Sequence, residues 1–230
     1  MKRSQINAAI EKAKNRLDEY RISLPPFGYW KLDDWKKAAP ECGMIFEGML
    51  GWDVTDFGSD DFAHTGAVLF TVRNGDKNDP KLRRPYAEKY IILDDRTEQE
   101  IPLHYHIDKT EDIINRAGGV LVIQMYHSTP DNKLDKEKPV SVRLDGILRT
   151  FAPGEDIEIM PGASITIEPY VFHRFIAKKD AGLLIVGEVS RVNDDNTDNV
   201  FLVPSERFIG LDEDEAIVHP LVNEVRELCR

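Results

Sequence analysis

The feature that most constrains the fold is a succession of short runs of β-branched and aromatic residues that begins near Ala67. About nine such runs follow one another, among them AVLFTV, KYIIL, GVLVIQMY and GLLIVGEVSRV. Turn signals separate them, such as Asn74-Gly75 after the first run and Asp145-Gly146 after VSVRL. Strands at this close spacing predict an antiparallel sandwich or barrel, because parallel strands need a long crossover between them. The sequence therefore predicts a mainly β fold.

Both ends of the chain carry apolar residues at helical spacing. The N-terminal face consists of Ile6, Ile10, Ala13 and Leu17. It predicts an amphipathic helix with Ser4 as its cap, ended by Pro25 and Pro26. A closing helix is predicted over residues 216–230. No internal repeat or low-complexity linker divides the chain, so we expect a single β domain with helical ends.

Composition excludes several classes of function. The chain has 41 acidic and 30 basic side chains, a net charge of −11, so it would repel nucleic acid and anionic membranes. No apolar stretch is long enough to span a bilayer, and the charged N-terminus lacks the apolar core of a secretory signal. Cys42 and Cys229 are too few for a disulfide framework. We expect a soluble cytoplasmic protein without nucleic-acid or membrane partners.

Histidine and glutamate stand at a defined spacing in and after the run IPLHYHI. His104 and His106 are two positions apart in a predicted strand, so both imidazoles project from one face. Glu111 follows beyond a predicted turn, and Gly118 completes the string HxHx4Ex6G. Two imidazoles and a carboxylate are typical ligands of first-row divalent ions. A histidine pair on a solvent-facing strand is the structural alternative, and the full string makes the metal site the better interpretation.

This string resembles the first motif of the cupins, small β-barrel proteins with a metal site at the barrel mouth. Their second motif is matched in spacing by GASITIEPYVFH, where Gly162, Ser164, Pro169 and His173 fit. The resemblance makes His173 the fourth ligand.

Three positions depart from the cupin pattern. Glu98 stands where the first motif opens with glycine, and Glu168 and Tyr170 replace the proline and glycine of the second motif. The turn before His173 is therefore expected to have a different shape, with the ligands unaffected.

The flanking sequence narrows the resemblance. An N-terminal helix, LFTVRNG, HYHIDKTEDIINRAGG and a late VPSERFIG are similar to the D-lyxose isomerase family of cupins over most of the chain. The resemblance implies interconversion of D-lyxose with D-xylulose and of D-mannose with D-fructose, a divalent metal, usually Mn²⁺, and a homodimer. The ligands it implies are His104, His106, Glu111 and His173. It also implies one cupin domain over residues 1–230, with a helical or loop segment to about 64, a double-stranded β-helix or jelly-roll barrel over about 65–200, and a helical segment over about 205–230.

Aldose–ketose isomerisation also needs groups that move protons. Lys109 lies between His106 and Glu111 in sequence, and a nearby divalent ion is expected to lower its ammonium pKa, so that it could act as proton donor or base. Glu206, in SERF, resembles the family's catalytic glutamate and is the candidate general base for a cis-enediol mechanism. Solvated surface roles are the alternatives for both.

Two other functions remain open on the sequence alone. An iron-dependent cupin dioxygenase could use the same ligands, and a non-enzymatic cupin could bind sugar or store metal. Lys109 and Glu206 favour the isomerase over simple binding, which needs no proton-transfer pair. The sequence does not fix the native metal, the preferred sugar, the residues that contact its distal hydroxyls, or which residue of this pair is the base.

Acidic residues outside the motif are interpreted as solvated. Asp194, Asp195 and Asp198 are predicted to form a surface turn, because their spacing matches no calcium loop. Residues 212–215 are predicted to begin the closing helix, where carboxylates favour the helix dipole.

Overall fold

The computed structural model describes residues 1–79, 81, 83–195, 197–205 and 210–230. Strands dominate it. The α-helices are α1 (Arg3–Glu19), α2 (Leu32–Ala38), α3 (Gly43–Glu47) and α4 (Val225–Leu228). The strands are β1 (Gly51–Thr55), β2 (Ala67–Arg73), β3 (Tyr86–Leu93), β4 (Glu100–His106), β5 (Glu111–Ala117), β6 (Leu121–Ser128), β7 (Leu134–Asp135), β8 (Val140–Leu144), β9 (Ile147–Phe151), β10 (Ile157–Ile159), β11 (Ser164–Ile167), β12 (Val171–Ala177), β13 (Leu184–Arg191) and β14 (Asn199–Phe201). This content confirms the predicted mainly β fold.

The strands form two curled antiparallel sheets that enclose one apolar interior. The larger sheet has the order β1-β2-β3-β13-β5-β11-β8-β9, and the smaller has the order β10-β6-β12-β4-β14, with β7 paired to β6. The predicted turn at Asp145-Gly146 joins β8 to β9, and both residues have positive φ, as a tight hairpin turn requires. Strand β1 lies before the predicted start of the barrel at residue 65.

Side chains alternate between the two faces of the larger sheet, and the apolar ones form a separate layer on each face. Leu69 on β2 and Ile91 on β3 face the interior between the sheets, whereas Val68 and Ile92 face outward. The apolar side of α1 covers this outer layer, and its four predicted residues are buried there. No helix in the described ranges is both long and apolar enough to cross a membrane.

The start of α1 is fixed by acidic side chains from the other end of the chain. The helix begins at Arg3 with Lys2 at the cap position, not after Ser4 as predicted. Ser4 instead bonds through its N–H and hydroxyl to the carboxylate of Asp214, at 2.9 and 2.8 Å. The buried Arg3 guanidinium donates to both oxygens of Glu213 and of Glu224 at 2.7 to 2.9 Å. The prediction that residues 212–215 begin a helix is therefore wrong, because their carboxylates bind the first turn of α1.

The closing helix is much shorter than the 15 residues predicted. Only α4, over four residues, is helical in this segment. Pro220 lacks the N–H that a helix interior needs, and the residues beside it extend along β1, where Val222 N–H donates to Trp52 O at 2.9 Å. Backbone pairing with β1 thus replaces the first turns of the predicted helix.

Candidate active site

Polar side chains gather on the inward faces of strands from both sheets. His104 and His106 come from β4, Glu111 from the start of β5, and His173 from β12. All four are at most 7% exposed. One nitrogen from each of the three imidazoles lies within 4.8 Å of the others. The structure thus brings together the four side chains that the motifs singled out.

A β-bulge in β4 turns the two histidines inward. On the neighbouring β12, His173 pairs with His104, but Phe175 pairs with Ile101, so β4 has one extra residue in this interval. In a regular strand of this sequence His104 would face outward, because it lies three positions after the inward-facing Ile101; the extra residue shifts the alternation and turns His104 inward. Pro102 lies in this interval, where a missing N–H is tolerated.

The motif turns keep their backbone shape where glycine is absent. Glu98 has φ +54° and Tyr170 has φ +62°, the left-handed region that glycine adopts without strain. The turn before His173 therefore keeps the conformation of a glycine turn, contrary to the expectation of a different shape. Gly118 also has positive φ, +84°, and a Cβ there would in addition lie 2.0 Å from Leu183 O.

The ring nitrogens that face away from the centre orient two of the imidazoles. Nδ1 of His104 donates to Pro102 O, and Nδ1 of His173 donates to Val171 O, each at 2.9 Å. This tautomer leaves the Nε2 lone pair of each ring available to a ligand. Backbone carbonyls thus hold two rings in the orientation of metal ligands.

The atoms that face the centre lack hydrogen bonds. Nε2 of His106, Nε2 of His173 and Oε1 of Glu111 are buried without a hydrogen-bond partner among the described residues. Nε2 of His106 lies 3.4 Å from Oε2 of Glu111, and Nε2 of His173 lies 2.9 Å from Oε1. Because the proton of His173 is on Nδ1, the second contact joins two acceptors and is not a hydrogen bond. Buried polar atoms in proteins are otherwise almost always paired. Unpaired nitrogen and oxygen donors converging on one point fit a first-row divalent cation.

Burial favours the neutral form of His104 and His106, whereas the neighbours of Glu111 keep its carboxylate charged. Burial lowers the pKa of His104, and the other two rings lower it further. The pKa of His106 is also lowered, by burial and by the charge of Lys109. Burial raises the pKa of Glu111, but its neighbours, chiefly the charge of Lys109, outweigh burial and hold the pKa well below its usual range. Neutral rings and an ionised carboxylate are the protonation states that bind metal.

Lys109 is held between two buried carboxylates. Its Nζ lies 3.0 Å from Oε2 of Glu111 and 2.8 Å from Oε1 of Glu188 on β13. Burial favours the neutral amine, but the two carboxylates outweigh it, so the pKa of Lys109 is raised. The expected fall in this pKa considered only a divalent ion and missed Glu188. Lys109 is therefore an ammonium fixed beside a candidate ligand.

A second buried lysine, Lys89, lies beside the cluster of Lys109, Glu111 and Glu188. Lys89 on β3 is 4% exposed, and its Nζ donates to Asn193 Oδ1 at 2.7 Å and lies 3.4 Å from Asp195. Lys89 pairs with Glu188 across the strands, and after Lys109 it is the charge that most lowers the pKa of Glu188. The same cavity is also lined by Phe57, Phe175 and Phe201. The cavity thus offers both charged and apolar side chains to a small polar molecule.

Sequence analysis missed Lys89 and Glu188. Lys89 begins the run KYIIL, and Glu188 interrupts the run GLLIVGEVSRV. Each also lies two positions from a core residue of its strand, and therefore faces the interior: Lys89 precedes Ile91, and Glu188 follows Val186. A charged residue at a strand position that alternation assigns to the core was the signal that could have identified them.

The structure gives different outcomes for the other acidic and histidine residues. Glu206, the predicted base, lies outside the described residues. The interpretation of Asp198 as a surface residue is wrong, because it is buried and its Oδ1 accepts the N–H of Asp108 at 2.7 Å. His219 is buried away from the site, where its ring contacts Trp30 O and Glu11.

Known proteins resemble this chain over nearly its whole length. The sequence model of the D-lyxose isomerase family matches residues 1–225. A D-lyxose/D-mannose isomerase of Escherichia coli O157:H7 is 39% identical over 230 residues, 99% of each chain. Another, of Serratia proteamaculans, is 39% identical over 216 residues, 94% of this chain and 93% of that one.

A solved structure shares the fold at low identity. The L-ribose isomerase of Cellulomonas parahominis, without ligand, superposes with a TM-score of 0.57 at 15% identity, over 88% of this chain and 93% of that one. This likeness supports the cupin barrel, and the sequence matches establish the relationship. The chain belongs to the D-lyxose isomerase family, as the resemblance in its sequence predicted.

Proposed function

We propose that the protein is a metal-dependent isomerase that interconverts D-lyxose with D-xylulose and D-mannose with D-fructose. The metal ligands in this proposal are His104, His106, Glu111 and His173, and the proton-transfer residues are Lys109 and Glu206. Mn²⁺ is the proposed metal. The observation that carries the proposal is the convergence of unpaired, buried imidazole and carboxylate donors in a chain of this family.

The relatives and the cavity support a free sugar as the substrate. Both 39% identical proteins are named D-lyxose/D-mannose isomerases. The cavity beside the histidines is lined by charged side chains and by phenylalanine rings. Charged groups can bind sugar hydroxyls, and aromatic rings can pack against the C–H face of a sugar.

The residues divide the proton transfers between them. A divalent ion bound by the four ligands supplies a Lewis acid that polarises the substrate carbonyl. Glu206 takes the proton from C2 while the Lys109 ammonium donates one to O1, which gives the cis-enediol. Lys109 then takes the proton from O2, and Glu206 returns its proton to C1. The net result is a ketose with the same atoms as the aldose.

An assay of sugar conversion tests the proposal. Protein stripped with a chelator is assayed on D-lyxose and D-mannose before and after reloading with Mn²⁺, with ketose formation as the readout. We expect activity only after reloading and about one Mn²⁺ per chain. His106→Ala should bind much less Mn²⁺, whereas His127→Ala serves as a matched control, because His127 lies on β6 outside the ligand cluster. Oxygen consumption without ketose formation would favour a dioxygenase instead.

Isotope incorporation tests the proton transfer. In heavy water, the product should carry solvent deuterium at C1, because a carboxylic acid exchanges its proton with solvent between abstraction and return. Glu206→Gln should lower turnover by about 10²–10⁴-fold and leave Mn²⁺ bound. Complete transfer of C2 deuterium to C1 over many turnovers would indicate a hydride shift and remove Glu206 from the role of base.

The family resemblance also supports a cytoplasmic homodimer formed from single-domain chains. Sedimentation velocity at low concentration tests the dimer, and a mass of 26.2 kDa would contradict it.

A further inference from the structure

The three histidines differ in what holds their outer ring nitrogen. Backbone carbonyls accept the Nδ1 protons of His104 and His173. Nδ1 of His106 instead faces a side chain, and lies 3.5 Å from Oδ2 of Asp198. A carboxylate in this position polarises an imidazole more strongly than a carbonyl does. His106 is therefore the ligand whose orientation depends on one particular side chain.

Asp198 is itself fixed to the end of β4. It directly precedes β14 and is 7% exposed. Its Oδ1 accepts the N–H of Asp108 at 2.7 Å, and its backbone carbonyl accepts the N–H of Ile107 at 3.1 Å. These bonds tie Asp198 to the two residues that follow His106. They leave Oδ2 as the carboxylate oxygen directed at the ring.

Both atoms of this contact lack another partner. Nδ1 of His106 and Oδ2 of Asp198 are each buried and without a hydrogen bond among the described residues. Their separation is a few tenths of an ångström longer than a normal N–H···O hydrogen bond. A small rotation of either side chain would close this gap. An unpaired buried carboxylate oxygen is costly, so a proton on Nδ1 satisfies both groups at once.

We propose that Asp198 is a positioning residue that keeps the proton of His106 on Nδ1 and so directs its Nε2 lone pair to the metal. This inference rests on the metal site of the proposed function. In this arrangement a carboxylate, an imidazole and the metal form one line of interactions, and loss of the outer carboxylate weakens metal binding.

Asp198→Asn is the sharpest test, because it reverses one hydrogen-bonding group at nearly constant shape. The amide oxygen can still accept the Asp108 N–H, which places the NH₂ group against Nδ1 of His106. Nδ1 must then be the acceptor, and the ring proton moves to Nε2, the atom that faces the metal. Asp112→Asn is the matched control, since it removes the same charge from an exposed residue next to Glu111.

Two readouts apart from activity follow the effect. Titration of metal-free protein with Mn²⁺, followed by the electron paramagnetic resonance of the free ion, should give a dissociation constant about 10- to 100-fold higher for Asp198→Asn. Nuclear magnetic resonance of ¹⁵N-labelled histidine in the metal-free proteins should show the His106 proton on Nδ1 in the wild type and on Nε2 in the variant. A purely structural role would not move that proton.

The outcomes separate this inference from the function. Wild-type Mn²⁺ affinity and an unchanged tautomer in Asp198→Asn would overturn it, as would an equal loss of affinity in Asp112→Asn. If Asp198→Asn does not fold, Asp198→Ser tests the affinity, because its hydroxyl can accept the Asp108 N–H. If the wild type binds Mn²⁺ more tightly than Asp198→Asn but isomerises no aldose, the positioning role stands and the proposed function fails.

Discussion

Three cationic side chains are buried among the described residues, and two of them, Arg3 and Lys109, each lie between two carboxylates. Arg3 is held by Glu213 and Glu224 at 2.7 Å, and Lys109 by Glu111 and Glu188 at 3.0 and 2.8 Å. In both cases burial favours the neutral form, and the carboxylates outweigh burial and raise the pKa of the cation. The two clusters are alike in charge and differ in their surroundings.

The partners of the two cations show what each cluster does. The side chains of Glu213 and Glu224 are 50% and 20% exposed, and they join α1 to the C-terminal segment. Glu111 and Glu188 are almost completely buried, and Glu111 also contacts the imidazoles of His106 and His173. The first cluster joins distant parts of the chain, whereas the second places a charge beside the proposed chemistry. Geometry around the partners, not the ion pair itself, distinguishes these roles.

Lys109→Met tests this distinction most strongly. We expect kcat for D-mannose to fall by about 10²–10⁴-fold, because methionine has similar length and cannot donate a proton. The measurement is ketose formation at saturating Mn²⁺, with metal content checked by elemental analysis. A variant with normal kcat and reduced stability would show that Lys109, like Arg3, only stabilises the fold through its ion pairs.

Arg3→Met should lower stability and leave kcat unchanged. We expect the free energy of unfolding to fall by about 3 kcal/mol, the low end for removal of one partner of a buried ion pair, because the exposed part of Glu213 can be rehydrated. Urea denaturation of the metal-free protein measures this loss. The kcat of the folded variant should match the wild type, and a large fall in kcat at unchanged stability would contradict the structural role.

Arg3→Lys refines the comparison at constant charge. Lysine cannot bind two carboxylates through a planar fork, so we expect a loss of about 1–2 kcal/mol in unfolding free energy. The same urea titration, run beside Arg3→Met, measures it. A loss as large as that of Arg3→Met would mean that geometry, and not charge, stabilises this cluster.

The smallest effect is expected for Glu213→Gln, and it should depend on pH. The hydrogen bond from Arg3 lowers the pKa of Glu213 from its ordinary 4.5. The ionised form is thus stabilised by folding, a contribution present above pH 4.5 and lost as the pH falls through the lowered value. Because Glu213 is half exposed, the variant should lose at most about 1 kcal/mol near pH 7. The difference from wild type should shrink as the pH falls below 4.5, which urea titrations at pH 7 and at a series of acid pH values would show.

Three of the four candidate ligands were predictable from local sequence, whereas His173 was predicted only from the spacing of the second cupin motif. His104, His106 and Glu111 stand within eight residues, and strand alternation with one turn is enough to bring them together. Backbone shape at Glu98 and Tyr170 was not predictable from residue type, because neither favours positive φ. Tertiary contacts of the turns determine those conformations.

Most of the wrong or missing predictions concern residues whose contacts are far away in sequence. Arg3 and Glu213 are 210 residues apart, as are Ser4 and Asp214, and no local pattern links such pairs. Glu188 was overlooked in an apolar run although its parity pointed inward. Asp198 was interpreted as solvated because acidic residues near it in sequence suggested a surface turn. In each case burial depends on a neighbouring strand or helix that a linear pattern does not contain.

The bulge in β4 decides which residues share a face with the histidines. Ile101 and His104 are three positions apart and both face the interior, because the extra residue between them shifts the alternation of side chains by one position. Deletion of Pro102 or Leu103 would place Ile101 and His104 two positions apart, and regular pairing with β12 would then keep Ile101, His104 and His106 on the inner face. Loss of the bulge without a deletion would instead put Ile101 and the two histidines on opposite faces. A designer who transplants the HxH string into another barrel must therefore match its distance from the preceding core residue to the pairing of the host strand.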